Sequence, residues 1–234
     1  MPRRMMLHLA LVASLAVAVA GVRAEDKPFR DTFAVPEGNF VSTGKNTYFI
    51  LEPGYQLTYE GEEDGKKSVL IITVLSETKK AANVETRVVE ERETVDGALT
   101  EVSRNYFAVD KATNDIYYFG EDVDDYKDGK VAGHGGSWLA GVNGAKYGLI
   151  MPAAPKEGDR YYQEVAPGVA LDRAEIVSLT EKVKTPAGKF ENCLKTKETS
   201  GLNPKEKEYK YYAPGVGLLR DADLKLTKYG MVKN

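Results

Sequence analysis

His134 and Ser137 are the first residues to test for chemistry, because a histidine close to a serine is the minimum of a nucleophilic hydrolase. The stretch reads His134-Gly135-Gly136-Ser137-Trp138-Leu139. A nucleophile elbow needs G-x-S-x-G, and its last post here carries Leu139. His134 is also the only histidine beyond the first 24 residues, so a distant serine has no separate base. The same scarcity argues against zinc or copper: Cys193 is the only cysteine, and such sites need three or four nitrogen or sulfur ligands. The Gly-Lys pairs at Gly44, Gly65, Gly129 and Gly188 lack the rest of a phosphate loop. No dinucleotide fingerprint is completed either, so no cofactor is expected.

Carboxylates are the second source of chemistry. Glu121-Asp122-Val123-Asp124-Asp125-Tyr126-Lys127-Asp128-Gly129 is dense in oxygen ligands. Counted from Asp124, an EF-hand would need a liganding side chain at Tyr126 and a glutamate at Gly135, so the loop is not one. Asp122, Asp124, Asp125 and Asp128 remain candidates for a looser calcium site, beside the plainer reading of a solvated acidic loop. The 35 acidic residues also leave room for a carboxylate pair of the glycosidase kind, whose separation a sequence does not show.

Aromatic rings are the third. All 14 tyrosines lie beyond residue 24, with adjacent pairs at Tyr117-Tyr118, Tyr161-Tyr162 and Tyr211-Tyr212. On a strand each pair puts one ring on either face. Ordinary strand composition accounts for such tyrosines. The functional reading is a ligand-lining set of Tyr117, Tyr118, Phe119, His134 and Trp138, suited to an apolar or sugar ligand.

The elements that position these residues are strands. Ser68 to Leu75 is a continuous β-branched run, expected to be a central strand covered on both faces. Asp64-Gly65, Asp96-Gly97 and Asp128-Gly129 each separate strand-like runs, as type I′ hairpin turns do. Thr113-Asn114-Asp115 does the same. Pro167-Gly168, Pro186-Ala187-Gly188 and Pro214-Gly215 add further reversals. Ala170 to Lys184 reads as strand rather than helix. Gly129 to Gly148 holds seven glycines and runs into Pro155, a connection expected to be functional or mobile. The fold class is therefore mainly β, a single domain with few helices, built as an antiparallel curved sheet or half-barrel.

Three segments follow. Residues 1–24 begin Met1-Pro2-Arg3-Arg4, continue as an apolar run and end Val22-Arg23-Ala24, the pattern of a secretory signal peptide. Residues 25–45 read as a polar N-terminal arm, and 46–234 as the β domain. Export makes the protein periplasmic or secreted. No second apolar run is long enough for a membrane span after cleavage. The full chain has a net charge of −3 with acids and bases interspersed, and losing Arg3, Arg4 and Arg23 makes it more acidic. That argues against nucleic acid or anionic lipid headgroups as partners. Cys193 permits no internal disulfide and reads as a small buried hydrophobe.

The C-terminal quarter carries a resemblance. Thr185-Pro186-Ala187-Gly188-Lys189-Phe190 and Tyr211-Tyr212-Ala213-Pro214-Gly215-Val216-Gly217-Leu218 resemble a loose group of uncharacterised exported bacterial β proteins with a "TPAGxF … YYAPGVGLV" pattern. Tyr106, Tyr117 to Asp122 and Gly136-Ser137-Trp138 are similar as well. The resemblance implies a fold like that of periplasmic lipoprotein-carrier domains, an open sheet around a hydrophobic cavity. It implies no catalytic residues. The expected function is non-catalytic binding of a lipid-like or amphiphilic ligand in the envelope. The alternatives are an envelope structural or interaction module using Gly129 to Pro155, and an unrecognised hydrolase.

Overall fold

The computed structural model describes residues 27–63, 65–203 and 205–232, so the expected signal peptide and the Asp64 half of the first hairpin turn lie outside it. In chain order the strands are β1 (Phe40–Val41), β2 (Gly44–Lys45), β3 (Ile50–Leu51), β4 (Tyr55–Glu63), β5 (Lys66–Ala81) and β6 (Val84–Val95). They continue with β7 (Ala98–Asp110), β8 (Ile116–Lys127), β9 (Lys130–Gly133), β10 (Trp138–Leu139), β11 (Lys146–Met151) and β12 (Arg160–Tyr162). The last are β13 (Glu164–Val165), β14 (Asp172–Thr185), β15 (Gly188–Ser200), β16 (Glu208–Ala213), β17 (Gly217–Asp221) and β18 (Leu224–Met231). The one helical element among the described residues is a 3₁₀ turn at Glu37–Asn39.

The turns form for local reasons. Asp96 and Gly97 have φ of 49° and 81°, and Asp128 and Gly129 have 52° and 74°. Both are the positive-φ pairs that a type I′ turn requires. The β5–β6 hairpin turns instead on Ala82 and Asn83, at φ 45° and 67°. That pair has no glycine and gives no turn signal in the sequence.

Sixteen of the strands form one antiparallel sheet curved into a nearly closed barrel, and β2 and β3 pair apart from it. β4 to β8 run as a meander and β11 adds beside β8. β14 to β18 form a second meander, and β18 returns to pair with β4 along Tyr55–Glu60. The remaining gap is bridged by residues 160–165. Their first half pairs with β14 and their second half with β11. This closure is tight. A Cβ on Gly148 of β11 would lie 2.2 Å from the Gln163 carbonyl oxygen, so only glycine fits there.

β5 is central, between β4 and β6, but its cover is uneven. Ser68, Leu70 and Val74 are buried, whereas Val69, Ile71 and Thr73 on the outer face are only half-buried. Two-sided cover is complete elsewhere, over the first part of β8 from Ile116 to Gly120. There the N-terminal arm folds across the outside of the sheet. Phe33 and Phe40 meet the Tyr117 ring edge-on at 5.5 and 5.6 Å, and Phe40 meets Phe119 at 5.1 Å. Tyr147 stacks on Phe119 at 4.9 Å and donates its hydroxyl to the Phe33 carbonyl. The arm is thus an aromatic clasp, anchored where Arg30 bridges Tyr161.

Candidate functional site

Register decides which side chains face the barrel interior. Ile72, Glu91 and Ser103 are successive partners across β5, β6 and β7, and Asn105 pairs with Glu121 of β8. On the other wall Thr196 pairs with Lys210, Glu198 with both Ala174 and Glu208, and Leu194 with Tyr212. These residues share the inner face with Tyr118, Tyr161 and Tyr212. Their neighbours Tyr117, Tyr162 and Tyr211 face out, so each tyrosine pair does divide between faces.

The interior is divided in two. One part is a cavity of about 140 Å³ lined by rings and aliphatic groups, among them Tyr48, Phe49, Leu57 and Phe107. Glu91, Asp221 and Lys210 form its polar border. The other part is acidic. Lys210 Nζ lies 3.4 Å from both Glu198 Oε2 and Asp221 Oδ1. Glu198 also accepts hydrogen bonds from Gln163 and Thr196 at 3.1 and 3.2 Å. Glu121, Glu164, Asp172 and Glu208 complete the group electrostatically around this one ammonium.

Such crowding of acids moves their protons. Burial, then repulsion from Asp221, Glu121 and Glu101, overcomes the pull of Lys210 and pushes the Glu91 carboxyl up to about 7. Glu91 is half-buried at the border of the cavity. Burial likewise raises Glu121 to about 7, against the Tyr118 hydroxyl that steadies its charged form. Glu164 is raised well above the carboxylate range by burial and by Glu121. Glu208 and Asp221 are coupled and part company: burial and Asp221 lift Glu208 to about 7, while Lys210 and Glu208 hold Asp221 low despite its burial. Lys210 is raised well above the usual lysine range by Glu198 and Asp221 and stays charged.

The residues singled out from sequence divide between three places. Tyr118 and Trp138 meet on the inner face, ring centroids 5.3 Å apart, and Tyr118 donates its hydroxyl to Asn105. Tyr117 and Phe119 do not join them. They face outward and are sealed beneath the N-terminal clasp, which corrects their grouping into one ligand-lining set. His134 lies at the rim, its side chain 68% exposed, with Nδ1 3.0 Å from Asp124. Ser137 accepts from the Val123 amide at 2.9 Å.

The four aspartates do not converge. Asp122 accepts from Tyr106 and faces Lys79, and Asp124 pairs with Arg104 at 3.5 Å, both on the outer face. Asp125 alternates to the other face and holds the Gly135 amide at 3.0 Å, while Asp128 forms the β8–β9 turn. Among the described residues no group of three His, Cys, Asp or Glu side chains is arranged to hold a metal ion. No described helix is long and apolar enough to cross a membrane. Cys193 is buried and free.

Sequence reasoning missed the interior acids, because Glu91, Glu121, Glu198 and Glu208 alternate along their strands like solvated residues. Comparison with protein-family models, with curated proteins and with solved structures returned no match.

Proposed function

We propose that this is a non-catalytic, exported binding protein whose barrel interior takes a compact amphiphile carrying a positive charge. The observation behind this reading is the cavity with an apolar lining on one side and two carboxyls, Glu91 and Asp221, around the single ammonium of Lys210 on the other. A volume of about 140 Å³ suits a single ring or short branched group and not an acyl chain. A cationic head beside Glu91 would meet a carboxyl that feels the pull of Lys210 but, among the described residues, makes no ion pair at contact distance. Export supports an envelope location, and the resemblance to exported β proteins agrees with it.

Titration with phenethylamine and with its neutral alcohol analogue tests the reading by calorimetry. The amine is expected to bind more tightly than the alcohol, and Glu91→Gln to remove that preference. Equal affinities, or none for either, overturn it. Native mass spectrometry of protein purified without detergent then identifies any natural ligand.

Glu208 and Asp221 support a second reading. Two coupled carboxyls, one raised to about 7 and the other held low, are the acid and base of a hydrolytic pair. Asp221 borders the cavity, but Glu208 does not, which places this reading second. Turnover of a panel of nitrophenyl glycosides, abolished by Glu208→Gln, would move it to first.

A further inference from the structure

The outer face of β15, β16 and β17 bears a different pattern. Tyr211 is the register partner of both Lys195 and Arg220, so these three side chains form one row across three strands. Lys197 and Tyr209 form the next row. Lys195 Nζ stands 4.5 Å from the Tyr209 ring centre and 5.3 Å from that of Tyr211. Lys207 Nζ stands 5.0 Å from Tyr209, and the Arg220 guanidinium 5.6 Å from Tyr211. Lys207, beside the Tyr209 hydroxyl, draws its pKa below the usual phenol value, helped by Lys195 and Lys197. The positive field of the face therefore reaches its outermost groups.

Counter-charges are few. Lys197 pairs with Glu175 at 3.2 Å, and Glu206 is exposed in the β15–β16 loop. Among the described residues Lys195, Lys207 and Arg220 are paired with rings and not with carboxylates. The same loop, which carries Lys207, exposes Leu202 to 47%.

We propose that this face docks on a bilayer surface rich in anionic phospholipid. Lys195, Lys197, Lys207 and Arg220 would reach the phosphates, the two tyrosines would sit at headgroup depth, and Leu202 would enter the acyl boundary. Charge complementarity is local, since the chain as a whole is acidic. Three neighbouring strands of a barrel present a patch that a planar surface can touch. Lys195 already lies over both rings, so stacking on bases or sugars, which a soluble polyanion would use, is disfavoured.

Sedimentation of the full chain with large vesicles tests the proposal. Binding is expected to vesicles of equal parts phosphatidylglycerol and phosphatidylcholine, not to phosphatidylcholine alone, and to fall in high salt. Lys195→Ala with Lys207→Ala is expected to weaken partition roughly twenty-five-fold, from roughly fivefold per cation. Lys130→Ala, which removes a single exposed charge on β9, is expected to leave it unchanged, and near-ultraviolet circular dichroism checks that each variant is folded. Absence of binding to the anionic vesicles overturns the proposal. So does an equal loss in the Lys130 variant, or binding of dextran sulfate in place of vesicles. Glu91→Gln is expected to bind vesicles like the unaltered protein, which separates this face from the interior site.

Discussion

Lys210 is the residue on which the interior depends, because it is the cation shared by Glu198 and Asp221. Its replacement by methionine keeps the bulk and removes the charge. Breaking a buried pair from one side costs about 3–5 kcal/mol, since the partners left behind stay charged and desolvated. Lys210→Met is therefore expected to lower unfolding stability by that order in denaturant at neutral pH. The loss should shrink in mild acid, where Asp221, desolvated and no longer held low by Lys210 in the variant, takes up a proton; an equal loss at both pH values would count against the account. Little of this was legible in sequence. The alternation of Glu208, Lys210 and Tyr212 was visible, but not which face was enclosed. An interior lined with acids inverts the usual rule that polar residues point out. The splitting of Tyr117 from Tyr118 was legible, because strand geometry alone demands it. That Tyr117 and not Tyr118 lies beneath the arm depends on contacts between residues far apart in the chain, such as Phe40 on β1.

At the scale of elements, the barrel closes through the short segment formed by β12 and β13, and Gly148 is where that segment comes closest to β11. Gly148→Ala forces a methyl against the Gln163 carbonyl. Overpacking of this kind typically costs about 1–3 kcal/mol. Hydrogen exchange is expected to quicken in residues 146–151 and 160–165 while the β5–β6 hairpin stays protected. Uniform loss of protection would instead mean that closure and meander are one cooperative unit. The meander was readable from its Asp-Gly turns, because positive φ at both central positions leaves few residue choices. The Ala82-Asn83 turn was not, since neighbouring strands impose a conformation that its sequence does not advertise. Residues 160–165 were equally opaque: two short strands with different partners carry no periodic signal. Cys193 was legible, as small free thiols are usually buried.

Over the whole molecule, the acids set how stability varies with pH. Glu91, Glu121 and Glu208 titrate near 7 when folded and near 4.5 otherwise. Between those values the folded chain holds protons that the unfolded chain has released, so this contribution is complete below about 4.5 and fades as pH rises through 7. Asp221 works in the opposite sense, gaining only from the low end where its folded pKa lies below 3.8. Three groups outweigh one, and Tm is expected to be several degrees higher near about pH 5.5 than near about pH 8.5. A Tm that rises toward alkaline pH would refute the assignment. Closure of the sheet has a kinetic consequence as well. β4 is among the first strands synthesised, and its outer edge waits for β18, which is made last. Until then the partly made chain is an open ribbon with two unpaired borders. Folding governed by contacts so distant in sequence is slow, on the order of milliseconds to seconds. The nascent chain therefore stays open to chaperones, and to mispairing, until its final strand is available.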